Sequence, residues 1–259
     1  MSKTIVMIHG MASGGWAWDN YRSVFEAAGY TCLTPMLPLH DVDPHAEPNP
    51  ALGQLSLLDY AKSLEQLISS LPERPILMGH SMGGLLAQIL AARGLASAAV
   101  LITSAPPAGI LALKPSVLRT FFPIVSRWKF WEQPFRFSQA SAEFGILGRL
   151  SPAQRAAEFA KFVPESGRAA FEIGYWPFDR RRASHIDAKD VTCPMLVIGA
   201  TEDQITPASV VRQIAEKYPT ASYRQYNQHA HMIMIEAGWQ TVAQDVLHWV
   251  NQHSASIDG

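Results

Sequence analysis

The sequence predicts an α/β fold: a doubly wound, mostly parallel sheet interrupted by one helical insertion. Three observations carry that expectation. Short, continuously apolar runs alternate with stretches of helical periodicity at both ends of the chain, which is the pattern of βαβ units. A serine between glycines, in Gly79-His80-Ser81-Met82-Gly83-Gly84, stands where one apolar run meets one helical stretch. Between Pro106 and Pro177 the composition shifts, with aromatic residues crowding together and basic residues outnumbering acidic ones.

Residues 4–8, with Ile5-Val6-Met7-Ile8, read as a buried strand, residues 18–28 as a helix ended by Gly29, and residues 30–35 as a second strand. Ser56, followed three positions later by Asp59, has the form of a helix start, and Leu57, Tyr60, Ala61, Leu64, Leu67, Ile68 and Leu71 keep helical spacing after it. Residues 75–78 are apolar throughout, as in a strand buried on both faces. Residues 82–93, rich in Leu and Ala, read as helix, and residues 98–103 repeat the buried-strand signature. In the insertion, helix starts are expected near Pro115, Ser151-Pro152 and Pro164-Glu165. A strand at 194–199, a helix at 207–218, a strand at 222–226 and a closing helix at 236–250 complete the pattern. The division expected is a core in two parts, residues 1–105 and 186–259, around a helical cap at 106–185.

Composition removes several classes of function. The 259 residues suffice for one large core with an insertion. A formal net charge of −1 argues against nucleic acid as a partner. Cys32 and Cys193 are too few for a disulfide framework and are expected reduced beside strands. No run approaches the roughly 18 apolar residues of a membrane span, and Ile5–Ile8 is too short for a signal peptide, so a cytoplasmic protein without stable membrane insertion is expected. His40-Asp41-Val42-Asp43-Pro44-His45 gathers ligand-type side chains but matches no metal spacing and reads as a solvated loop. Gly14-Gly15-Trp16 lacks the frame of a dinucleotide fingerprint, so neither metal nor organic cofactor is expected.

The chemistry points elsewhere. A strand that turns straight into a helix strains its central residue, and Gly79 and Gly83 supply the room that lets Ser81 project above the sheet. The helix N-terminus beside it favours negative charge. Two carboxylates, Glu202 and Asp203, follow the strand at 194–199; two histidines, His229 and His231, precede the last helix; and His9-Gly10-Met11 follows the first strand.

In these residues and their order, the chain resembles an α/β-hydrolase of the capped esterase type, over essentially everything outside the insertion. The resemblance implies a nucleophile, acid and base in the order Ser81, Asp203, His231. Asp203, four residues after Gly199 and shortly before Thr206-Pro207, takes the family's acid position ahead of Glu202, and no carboxylate follows the strand ending at Thr103. His231 sits in the family's Gly-His frame ahead of Glu236, with Ala230 replacing the glycine; His229 is the other candidate. The His-Gly-x loop implies oxyanion donors at the Met11 and Met82 amides. The resemblance further implies cofactor-free acyl transfer; the aromatics of the cap, some of them lining an apolar pocket, point to small esters with apolar or aromatic groups, and a monomer or homodimer is expected. Trp128, Trp131 and Trp176 of the cap are the expected substrate-binding residues. A serine nucleophile separates the chain from dehalogenases and epoxide hydrolases of the same fold. A thioesterase, lactonase or C–C bond hydrolase would use the same site. Gly14-Gly15-Trp16 resembles the hydroxynitrile lyase and plant methylesterase branch. A perhydrolase and a ligand-binding receptor on this fold complete the alternatives.

Overall fold

The structure is a computed structural model that describes residues 3–254. Strand β1 (Thr4–Ile8) leads into α1 (Asp19–Ala27), β2 (Thr31–Leu33), α2 (Leu57–Ser69), β3 (Ile76–His80), α3 (Met82–Ala92) and β4 (Ala98–Ile102). Helix α2 begins as its sequence requires, since Ser56 and Asp59 form a complete capping box. The insertion then contributes α4 (Pro115–Val125), β5 (Pro134–Phe135), α5 (Gln139–Gly145), α6 (Pro152–Phe159), β6 (Glu165–Ser166) and α7 (Gly167–Gly174). The chain finishes with β7 (Met195–Ala200), α8 (Ala208–Lys217), β8 (Ala221–Tyr226) and α9 (Trp239–Ser254).

Six strands form one sheet in the order β2-β1-β3-β4-β7-β8, every neighbouring pair parallel. The central strands are buried on both faces, which is why they read as unbroken apolar runs rather than alternating ones. Leu77, Leu101 and Val197 face α2, α3 and α8, whereas Met78, Val100 and Ile198 face α1 and α9. Strand order reverses between β1 and β3, and the crevice beyond the carboxyl ends at such a switch point is where open α/β sheets bind ligands. The loop carrying His9-Gly10-Met11 and the turn carrying Ser81 leave from those two strand ends.

The insertion departs from β4 and returns to β7. It has an apolar cluster of its own, including Ile124, Phe130, Phe135, Phe137, Leu147 and Leu150, and this cluster closes on Ala12, Ile205 and Met232 from loops of the sheet. It therefore packs over the carboxyl ends of the strands. Helices start at Pro115 and at Pro152, where Ser151 and Gln154 form a second capping box. The third start lies later than Pro164-Glu165: Glu165 and Ser166 pair antiparallel with Phe135 and Pro134, and Ser166 then caps α7. Cys32 on β2 and buried Cys193 are both free thiols. Among the described residues no helix is long and apolar enough to cross a membrane.

Candidate active site

The turn between β3 and α3 is as tight as its glycines suggest. Ser81 stands alone between strand and helix at φ +54°, ψ −120°, a conformation that costs a non-glycine residue on the order of 1–3 kcal/mol. A Cβ on Gly79 would lie 2.2 Å from the Gly83 carbonyl oxygen, and one on Gly83 would lie 2.1 Å from that of Ile8. Both contacts are with backbone, which cannot swing aside. Gly83→Ala is accordingly expected to lose about 3 kcal/mol or more, the upper range for overpacking, as read by thermal denaturation.

Asp203, in the loop after β7, is buried and held by four donors. Its Oδ1 accepts the N–H groups of Ile205 and Thr206, both at 2.8 Å. Its Oδ2 accepts the Thr206 hydroxyl at 2.7 Å and His231 Nδ1–H at 2.9 Å. This last bond fixes the ring of His231 and leaves Nε2 as its lone-pair nitrogen. The His231 carbonyl is fixed as well, accepting from His80 Nε2 at 3.0 Å and from the Thr103 hydroxyl at 3.1 Å. Burial drives the His80 imidazole down to about 3, so it is neutral and donates this bond without adding charge beside His231. Sequence reasoning missed Thr206, Thr103 and His80 as supports. The Thr206-Pro207 pair marked the right loop, but no local pattern ties Thr103 or His80 to His231.

Ser81, His231, Met11 and Met82 line one cavity of about 440 Å³, together with Ser13, His80 and Thr206 from the core. The insertion supplies a mainly apolar wall, with Val117, Phe121, Val125, Phe137, Ile146 and Ile173 among its residues. Leu111, Leu113, Phe122 and Phe178 also line the cavity while exposing more than half of their surface, which places them at its rim. Among the described residues, no backbone carbonyl accepts from the Met11 N–H, and Met82 is the first residue of α3, where an N–H has no partner within the helix.

The rival residues sit elsewhere. His229 pairs with buried Glu236 at 3.3 Å and stands edge-on to Tyr226, outside the cavity wall. Glu202 is a partly exposed partner of Arg149. Of the three tryptophans expected to bind substrate, Trp176 lines the cavity and the other two do not. Trp128 follows α4 and is 81% exposed, and Trp131 packs against Phe130 and Phe171 inside the insertion. The loop at 40–45 also needs correction at one position: Asp41, Asp43 and His45 are exposed, but His40 is fully buried against Glu165. Among the described residues no group of three or more ligand-type side chains could hold a metal ion.

A sequence profile described as "Alpha/beta hydrolase family" matches residues 5–245. The chain belongs to this family. Shorter stretches match curated members. Methylesterase 7 of Arabidopsis thaliana is 33% identical over 93 residues, covering 34% of either chain. Salicylic acid-binding protein 2 of Nicotiana tabacum is 35% identical over 86 residues, covering 32% of this chain and 31% of its own. An alpha-hydroxynitrile lyase of Arabidopsis thaliana is 30% identical over 82 residues, covering 31% and 30%. The matched segments thus span about a third of the length of these relatives. Among solved structures, a methylesterase from Arabidopsis superposes with a TM-score of 0.70 at 16% identity, covering 96% of this chain and 98% of its own. A pyrethroid hydrolase from Sphingobium faniae JZ-2 superposes with a TM-score of 0.71 at 17% identity over 100% of both chains. At these identities the superpositions speak to the fold.

Proposed function

We propose that this α/β hydrolase is a serine hydrolase that cleaves carboxylic esters of small apolar or aromatic-bearing molecules through an acyl-enzyme. The observation that carries the reading is that His231, paired with Asp203, lines the same mainly apolar cavity as strained Ser81. His231 Nε2 takes the Ser81 proton as Oγ attacks the ester carbonyl, and Asp203 stabilises the imidazolium that results. The Met11 and Met82 amides donate to the oxyanion of the tetrahedral intermediate. The imidazolium returns its proton to the departing alkoxide. Water, deprotonated by His231, then attacks the acyl carbonyl; the bond to Ser81 Oγ breaks as the imidazolium returns the proton to it, and the carboxylic acid leaves. Residues 106–185 act as the cap that excludes water and sets the shape of the pocket, with Trp176 on its wall. The esterases and methylesterases among the relatives support this reaction class.

The test is a fluorophosphonate label together with one substrate panel of acyl esters, a thioester, a lactone, a vinylogous diketone and a cyanohydrin. Ester turnover with wild-type labelling is expected, and absence of labelling would overturn the serine nucleophile. Within the ester series, each added acyl methylene is expected to raise kcat/KM about fourfold until the cavity fills, as about 0.8 kcal/mol per buried CH₂ requires. A flat series would overturn the apolar pocket.

A further inference from the structure

A second charged site lies behind the oxyanion loop, outside the cavity, and no step of the proposed reaction uses it. Glu165, on the short ribbon of the insertion, is fully buried and accepts four hydrogen bonds on its two oxygens. Oε2 takes the Ala12 N–H at 3.0 Å and His40 Nε2–H at 3.0 Å. Oε1 takes the Tyr60 hydroxyl at 2.9 Å and the Ser166 N–H at 2.6 Å. Each donor comes from a different segment: the loop after β1, the loop after β2, helix α2 and the ribbon itself. Burial works against the charged form of both groups, yet each facing partner outweighs it, so that His40 is raised and Glu165 lowered from their ordinary ranges.

The position of Ala12 explains why such an expensive group is buried here. Ala12 follows Met11 directly and adopts φ +54°, which a residue with a Cβ keeps only when its surroundings over-determine it. Both its peptide groups are tied to the insertion: its N–H to Glu165, and its C=O to the Val163 N–H at 3.0 Å. The loop after β1 has no ladder of its own at this point. The Met11–Ala12 peptide plane is therefore held by the insertion rather than by the sheet, while His9 Nδ1–H holds the Gly10 carbonyl on the other side of Met11 at 2.8 Å, so the insertion supplies one of the two anchors that set the Met11 backbone.

We propose that Glu165 is a positioning residue whose carboxylate clamps Ala12 and thereby aims the Met11 amide at the oxyanion, so that the insertion completes the reaction site as well as covering it. This rests on the serine-hydrolase reading of the site. Glu172 provides the control. It too is a buried carboxylate of the insertion bonded to the core, accepting the Ser56 hydroxyl and the Leu57 N–H, but it does not touch the oxyanion loop.

Steady-state kinetics and thermal denaturation of Glu165→Gln and Glu172→Gln, with inhibition by an alkylboronic acid, test the proposal. An amide at 165 has one acceptor oxygen where four donors converge. Glu165→Gln is expected to lower kcat about 10- to 100-fold, short of the roughly 10²- to 10³-fold cost of removing an oxyanion donor outright. KM is expected within twofold, and boronate affinity falls in parallel with kcat/KM. Glu172→Gln keeps kcat and boronate affinity. If Glu165→Gln does not fold, Glu165→Asp keeps the charge beside His40 while withdrawing the oxygens from Ala12, and the same loss of kcat is expected. Equal kcat in Glu165 variants and an active wild type, or equal losses in both glutamate variants, would overturn the clamp alone. A wild type that neither turns over esters nor takes the fluorophosphonate would overturn the clamp and the serine-hydrolase reading together.

Discussion

Replacing Ser81 with alanine is expected to abolish ester turnover, with kcat falling roughly 10⁴- to 10⁶-fold, the range seen when a serine nucleophile is removed. Its melting temperature should stay close to that of the wild type, because the hydrogen bonds that hold the neighbouring loops run from Ile205, Thr206 and His231 to Asp203 and do not pass through Ser81 Oγ. Ser81→Gly separates chemistry from strain. Glycine adopts φ +54° without penalty, so this variant is expected to be equally inactive yet more stable by about 1 kcal/mol, or about 2–4 °C in Tm for a domain of this size. Residual turnover above a hundredth of wild type in either variant would remove Ser81 from the reaction. An unchanged Tm in Ser81→Gly would show that the turn is relaxed.

Asp203→Asn is expected to lower kcat about 10³- to 10⁴-fold, since an amide at that position no longer selects the imidazole tautomer that leaves Nε2 free. His231→Ala should be at least as severe. His229→Ala is the informative contrast: it leaves buried Glu236 with the Ala230 N–H but without the imidazole, so the expected loss is about 1–3 kcal/mol of stability with kcat within threefold. Parallel measurement of kcat and Tm on the three variants decides the matter. An inactive, stable His229→Ala beside an active His231→Ala would reverse the assignment of the base.

The sheet was legible in the sequence because parallel strands buried on both faces announce themselves locally. Met7, Met78, Val100 and Ile198 all lie in short apolar runs, and those of Met78 and Ile198 are bounded by proline and glycine. The loops that carry Ser81, Asp203 and His231 were legible because strand ends fix where loops begin, whereas the choice of Asp203 over Glu202 and of His231 over His229 came from the family resemblance alone. The insertion was harder. Its two-residue strands, Pro134–Phe135 and Glu165–Ser166, are too short to have a period, and α5 is a seven-residue helix without an apolar stripe. Trp128 and Trp131 are three positions apart yet reach solvent and core respectively, because a left-handed Lys129 turns the chain between them. The His40–Glu165 pair joins residues 125 positions apart, and nothing in the run of proline and aspartate around His40 distinguishes it from exposed His45.

The insertion leaves from β4 and re-enters at β7, which are hydrogen-bonded neighbours with Val100 opposite Leu196. Two parallel neighbours need some crossover between them, but the sheet is indifferent to how long it is or what it contains. The segment is thus a cassette plugged into adjacent sockets, free to be exchanged for another with a different pocket while the reacting residues on the sheet stay where they are. Exchange has one condition. On the proposed reading, the incoming segment must bring an acceptor for the Ala12 N–H and a donor for its C=O, so specificity can drift more freely in the rest of the cassette than where it meets Ala12, Ile205 and Met232.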